Sequence, residues 1–267
     1  MKRYIEYFFA AARISILSQI QYRVANYFYM IGMITEPVIY LVVWSTIAKQ
    51  LGGTVGGYTA GAFAAYYIVW TLVRNMNIVF TPFGWENRIR EGTLAMDLMR
   101  PIHPIFGDIA YFSGWKVVVI ILWLPLAILL AWIFKPTIEF TAMKAIVFFI
   151  AIWGAFLIRT MVVSLLGMIT FWTTRVSAIF DLYFGLELIL SGRLVPLTLM
   201  PQWVQTLSIY LPFKYTFFFP IDALVGNMST RELWMGIGMQ IFWITLGASF
   251  LSVVWRAAIK QFSAVGG

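Results

Sequence analysis

The run Val117-Val118-Val119-Ile120-Ile121-Leu122-Trp123-Leu124-Pro125-Leu126-Ala127-Ile128-Leu129-Leu130-Ala131-Trp132-Ile133-Phe134 carries no charged side chain. A helix that crosses the hydrocarbon of a bilayer needs roughly 20 mostly apolar residues, so this run reads as a membrane span. Windows of the same character lie at 27–48, 60–80 and 145–171, a shorter one at 176–190, and another at 233–254. The expectation is an all-α polytopic membrane protein with six transmembrane helices. Composition agrees: 61% of the 267 residues are apolar and 11% charged, with a mean hydropathy of +0.85. Soluble domains carry about 25% charged residues, and no soluble core could hide this much apolar surface. The 12 Trp, 13 Tyr and 23 Phe fit helices that end at two boundaries between membrane and water, so the aromatic excess points to a lipid bilayer and away from nucleic acid. With no cysteine, disulfides, thiol catalysis and thiolate metal sites are excluded.

Ahead of the first span, Met1-Lys2-Arg3 has the basic start of a secretory signal, but Glu6 and Arg13 break the apolar stretch that follows. At 100° per residue Lys2, Glu6 and Arg13 cluster within about 40°, beside an apolar arc of Ile5, Phe8, Ala12 and Ile16. Residues 1–23 therefore read as an amphipathic surface helix at the cytoplasmic face, the alternative being an unusually polar extra span. Orientation follows from Lys and Arg. Lys2, Arg3, Arg13, Arg23, Arg88, Arg90, Arg100, Lys116, Arg175, Arg256 and Lys260 fall on one side, and Lys49, Lys135, Lys144, Arg193, Lys214 and Arg231 on the other. Eleven against six places both termini in the cytoplasm of a cell membrane. No internal repeat, low-complexity run or long linker divides the chain, so 1–267 reads as one membrane domain.

Two loops carry information. In the cytoplasmic loop 81–116, a first short helix is expected at 85–91, with Gly92 ending it, Thr93 capping the next turns, and Pro101 and Pro104 stopping them. Glu86, Arg88, Arg90 and Glu91 would be exposed beneath the membrane, which suits either a docking element or an ordinary solvated loop. The outer segment 191–232 is apolar yet holds Pro196, Pro201 and Pro212 within seventeen residues, which forbids one continuous helix. Irregular backbone at membrane depth survives only under a cover of protein or in a water-filled cavity. A short re-entrant hairpin is expected at the outer mouth.

The order Ile89-x2-Gly92-x-Leu94-x3-Leu98-x-Arg100-Pro101-x2-Pro104, then Ser191-Gly192-x3-Pro196-x4-Pro201-x10-Pro212-Phe213, resembles the permease subunits of ABC transporters of the type-two exporter superfamily. The resemblance covers nearly the whole chain. It implies a permease dimer, homomeric or heteromeric, on which two cytoplasmic ATP-binding subunits dock to drive export, with ATP and Mg on those partners and no cofactor on this chain. The sequence agrees by omission, since it holds no Gly-Lys dipeptide and hence no phosphate-cradling loop of the G-x-x-x-x-G-K-[ST] kind. By the same resemblance, residues 4–21 and Trp85, Glu86, Arg88, Ile89, Arg90, Glu91, Gly92, Leu98, Arg100 and Pro101 would meet the ATPase. Ser191, Gly192, Pro196, Pro201, Pro212 and Phe213 would form an outer gate.

Glu36, Arg74, Arg159, Asp181 and Glu187 lie in or near spans, where a central charge costs at least ~2.5 kcal/mol. Glu36 and Arg159 stand open between a pathway or dimer-seam role and structural ion pairing. Arg74, near the end of its span, is expected to snorkel; Asp181 and Glu187 remain unassigned. The sole histidine, His103, cannot form a two-histidine metal site within one chain, and no catalytic or metal-ligating set stands out. An ion-driven secondary transporter would favour an inverted repeat and helices broken at mid-membrane, neither of which the sequence presents. An intramembrane lipid enzyme would need convergent acid, base or metal ligands. A pathway lined from spans one, two and five would be apolar and aromatic, which favours amphipathic or lipid-like cargo.

Overall fold

A computed structural model describes residues 2–79, 82–173 and 176–262. Met1, Phe80, Thr81 and Arg175, used in the sequence reading, lie outside them, as do 263–267. In chain order the helices are α1 (Lys2–Gln21), α2 (Arg23–Gln50), α3 (Ala60–Met76), α4 (Pro82–Arg90), α5 (Leu94–Leu98), α6 (Pro104–Phe134), α7 (Ala142–Met168), α8 (Ser177–Leu190), α9 (Gln202–Ile209), α10 (Phe213–Thr216), α11 (Phe218–Val225) and α12 (Thr230–Ala258). Single 3₁₀ turns occupy Ile169–Phe171 and Leu197–Leu199.

Among the described residues, four helices are long and apolar enough to cross a membrane: α2, α6, α7 with its 3₁₀ extension, and α12. The expected second and fifth spans are helical but shorter, α3 with 17 residues and α8 with 14. At about 1.5 Å per residue they reach about 25 and 21 Å. The third begins well before its expected start. His103 accepts a hydrogen bond from Ile105 N–H at the N-terminus of α6, and Pro104 occupies the first turn, where its missing N–H costs nothing. Pro104 thus opens a helix where it was expected to stop one, and Lys116, counted as a loop cation, lies wholly buried inside α6.

The all-α expectation also misses a two-residue antiparallel hairpin, β1 (Thr54–Val55) and β2 (Tyr58–Thr59), between α2 and α3. Gly56 and Gly57, both at positive φ, let the chain reverse in so few residues. Thr59 then caps α3 by accepting from Ala62 N–H at 3.1 Å. With thirteen of its 17 residues buried, α3 is the central post of the bundle. A helix apolar all round belongs inside, and α2, α6, α11 and α7 surround it.

The N-terminal helix α1 lies along the first half of α6, burying Ala12 and Ser15 and gathering Tyr4, Tyr7 and Phe8 round Phe106. The apolar arc does not face the bundle as a unit: Ala12 does, while Ile5 stays exposed together with Phe9, Ile14 and Leu17. Backbone approaches backbone here because residue 114 is glycine; a Cβ on Gly114 would lie 2.2 Å from the Ala12 carbonyl oxygen. Gly114→Val is expected to force α1 off α6 and cost about 1–3 kcal/mol, whereas Gly238→Ala, in open space on α12, leaves stability unchanged or raised. Thermal unfolding of the two variants in detergent, followed by size-exclusion, checks the contrast.

Candidate functional site

Two constellations stand out, one inside the bundle and one at the end of it where α4 and α5 lie. The inner one begins at Glu36, partway along α2. Its carboxylate pairs with the Arg74 guanidinium of α3 and accepts from Arg193 Nη2 at 3.2 and 3.3 Å. Arg193 Nη1 also approaches Glu187 of α8 at 3.9 Å, and Glu187 pairs with Arg159 of α7 at 3.0 Å. The Tyr183 hydroxyl donates to Glu187 Oε1 at 3.0 Å. Five charged groups from four helices and one connecting segment thus form an unbroken chain: Arg74, Glu36, Arg193, Glu187, Arg159. Rings back it. Arg74 and Arg193 lie over the Trp70 ring at 5.2 and 5.8 Å, and Arg159 over Phe184 and Phe217.

This geometry corrects the sequence reading of Arg74, which does not snorkel but pairs with Glu36, because the carboxylate of the neighbouring α2 lies within ion-pair reach. Arg193, counted as an outer-loop charge, belongs to the same core. With Lys116 and Arg193 removed, the Lys and Arg balance becomes ten against five, in the same direction. Glu187 is fully buried and paired, while Asp181 is exposed on α8 beside exposed Leu182. Glu36 and Arg159 are both ion-paired, though with different partners.

Arg193 reaches the network because the chain after α8 enters the bundle. The Gly192 carbonyl accepts from Tyr66 Oη at 2.7 Å, that of Leu194 from Tyr67 Oη at 2.9 Å, and that of Ser191 from Phe218 N–H at 2.8 Å. Irregular backbone is tolerated there because protein donors replace water. Gly192 takes φ +80°, and a Cβ on it would lie 2.9 Å from Phe218 Cβ. Pro196, Pro201 and Pro212 each precede a helical turn: the 3₁₀ turn, α9 and α10 respectively. The deep turn between α9 and α11 sets Phe213 against Tyr183, ring centroids 5.5 Å apart, and is tied down by side-chain amides. Gln240 Nε2 bridges the carbonyls of Tyr215 and Ala151, and Asn77 Nδ2 donates to Thr216.

At the second constellation, α4 presents one face inward. Trp85 is buried against Gly167 of α7, where any Cβ would lie 2.7 Å from the Trp85 side chain, and its ring meets Trp255 of α12 edge-on. Arg88 grips Asp108 of α6 with two hydrogen bonds of 2.7 and 2.8 Å, and Ile89 packs in the same apolar cluster. Glu86 was expected at the surface but is buried, pairing with Arg90 at 2.9 Å. Gly92, at φ +72°, ends the helix as expected. Thr93 makes no side-chain cap, because its own backbone is already helical. The exposed residues of this stretch are Asn87, Arg90, Glu91, Thr93, Met96, Met99, Arg100 and Pro101, and Leu98 turns inward. Met96 and Met99 were missed, although Met99, 80% exposed, sits in the Leu98-Met99-Arg100-Pro101 stretch. Burial lowers the pKa of His103, whose ring stacks obliquely on Trp255, and among the described residues no group of three or more potential metal ligands converges.

Breaking a buried ion pair leaves a charge without a partner. Glu187→Leu is expected to cost about 3–5 kcal/mol, and adding Arg159→Met should recover much of it. Thermal stability of the single and double variants in lipid nanodiscs checks the recovery.

No curated protein matches the chain at a significant level. A family model described as an ABC-2 family transporter protein matches residues 34–266, most of the chain. That span holds the ion network, the α4–α5 loop and the α9–α11 turn, and its long apolar helices make the protein multi-pass. The chain belongs to the ABC-2 family of transporter proteins, as the membrane permease component of an ABC transporter.

Proposed function

We propose that this chain is the membrane half of an ATP-driven exporter. Two permease chains, identical or related, enclose the substrate path, and two cytoplasmic ATP-binding subunits dock on them, carrying ATP and Mg. In this reading α2, α3, α6, α7, α8 and α12 are the six crossings of the cell membrane. Both ends are cytoplasmic, as the ten-to-five cation balance supports, and α9–α11 is a hairpin re-entering from the outside.

The observation that carries the reading is the mounting of α4. Its outer face is exposed at Asn87 and Arg90, while its inner face is locked to α7 through Trp85 and Gly167, to α12 through Trp85 and Trp255, and to α6 through Arg88 and Asp108. A push on Arg90, Met96, Met99 and Arg100 would therefore move three long helices together. That is what a coupling element between ATPase and pathway requires, and a solvated loop would not need such anchoring. Two methionines beside two arginines offer a partner an adaptable apolar contact flanked by charge.

The test is to isolate the chain gently from its native membrane and identify what accompanies it. A Walker-motif ATPase should co-purify, and Met96→Ala with Met99→Ala and Arg100→Ala should release it without loss of folded permease. Trp85→Ala should instead cost about 3–5 kcal/mol of stability. If no ATPase accompanies wild type under conditions that preserve other membrane complexes, the exporter reading fails and an ion-driven carrier takes its place.

A further inference from the structure

We infer that the inner cavity selects an anionic group, a phosphate or carboxylate, as the recognised part of the cargo. Describing the ligand as cargo rests on the exporter reading; the anion site stands on its own geometry. The cavity, about 370 Å³, is lined by Arg74, Arg159 and Arg193 with Met33, Phe184 and Phe217 among its apolar wall. Neither Glu36 nor Glu187 contributes to that lining. The three arginines line the space, Glu187 is fully buried, and Glu36 keeps part of its side chain exposed outside that lining.

Charge count and satisfaction agree with this. Three arginines meet two glutamates, so the network carries one surplus positive charge in a region where an uncompensated charge is costly. The Nε–H groups of Arg159 and Arg193 are buried without an acceptor among the described residues. Arginine's planar fork suits oxyanions, and rings already hold these three guanidiniums in place. The cavity also meets α2 at Met33 and α8 at Phe184. An anionic head would rest on the arginines.

The experiment uses the permease, purified with whatever subunits accompany it, in nanodiscs of zwitterionic phosphatidylcholine. Binding of radiolabelled dodecyl phosphate is compared with that of dodecyltrimethylammonium. The phosphate should bind at least ~10-fold more tightly. Arg74→Gln should weaken it about tenfold and Arg74→Lys much less, whereas Glu36→Gln, which uncovers positive charge, should strengthen it. Should the variants fail to fold, the wild-type preference for the phosphate over the ammonium still decides. Equal binding of the two amphiphiles, a preference for the ammonium, or weakening by Glu36→Gln overturns the inference.

Competition names the source of the anion. Displacement by inorganic phosphate as effective as that by unlabelled dodecyl phosphate assigns the site to a free anion. Displacement only by chain-bearing anions such as phosphatidate assigns it to a lipid-like head group, and either result upholds anion selection. The accompanying ATPase is read on the same sample. Phosphate selectivity without an ATPase removes the exporter and keeps the site; an ATPase without selectivity removes the site alone.

Discussion

A guanidinium in the interior of a membrane protein must find its counter-charge within reach, and Arg193 finds two, Glu36 on one side and Glu187 on the other. The rest of the bundle is arranged around that demand. Glu36 fixes the register of α2 against α3 through Arg74, and Glu187 fixes α8 against α7 through Arg159. Apolar packing between helices gains little net free energy when lipid tails compete for the same surfaces. Polar pairs at fixed heights can therefore decide which helix neighbours which, and at what level. Lys116 applies the same economy with neutral partners. Its ammonium donates to the carbonyls of Asn75 and Ile78 at the end of α3, where the helix dipole is negative.

The second dependence is backbone satisfaction. The connection from α8 to α11 enters the protein interior at 191–197 and again at 213–217, where the hydroxyls of Tyr66 and Tyr67 meet the carbonyls of Gly192 and Leu194 and the amides of Asn77 and Gln240 meet those of Thr216 and Tyr215. Without those donors the segment would have to leave the bundle, taking Arg193 with it. The ion chain and the polar clasp thus hold one another in place. Both border the cavity in which selectivity is proposed, so a motion of α9–α11 would alter the arginine positions directly.

Much of this was legible from residue patterns, and the failures have physical causes. Long apolar windows gave the helices α2, α7 and α12 within a few residues and the end of α6, and the prolines of 196–212 marked the breaks correctly because each opens a new turn. Each charge in a span was visible, yet its partner was not, since pairing depends on helix order and height, which one-dimensional hydropathy does not contain. Arg193 was misplaced because its segment was counted as a loop, despite the apolar neighbours that announced its burial. In α4, Trp85 and Ile89 at a spacing of four marked the buried face. Reading that pair would have turned Arg88 toward a partner and Glu86 inward. Asp108 showed only as a loop acid because the start of α6 at Pro104 was placed thirteen residues too late.

The central claim, that Glu36 and Arg193 are energetically joined across the bundle, is tested most directly by a double-mutant cycle on thermal stability in nanodiscs. The cycle compares wild type, Glu36→Gln, Arg193→Gln and the double variant. Contact through a buried ion pair predicts a coupling of about 1 kcal/mol or more, the double variant being far less destabilised than the sum of the singles. Additive effects, within about 0.5 kcal/mol, would mean that the two side chains do not sense each other and that the network is not what holds the bundle in register.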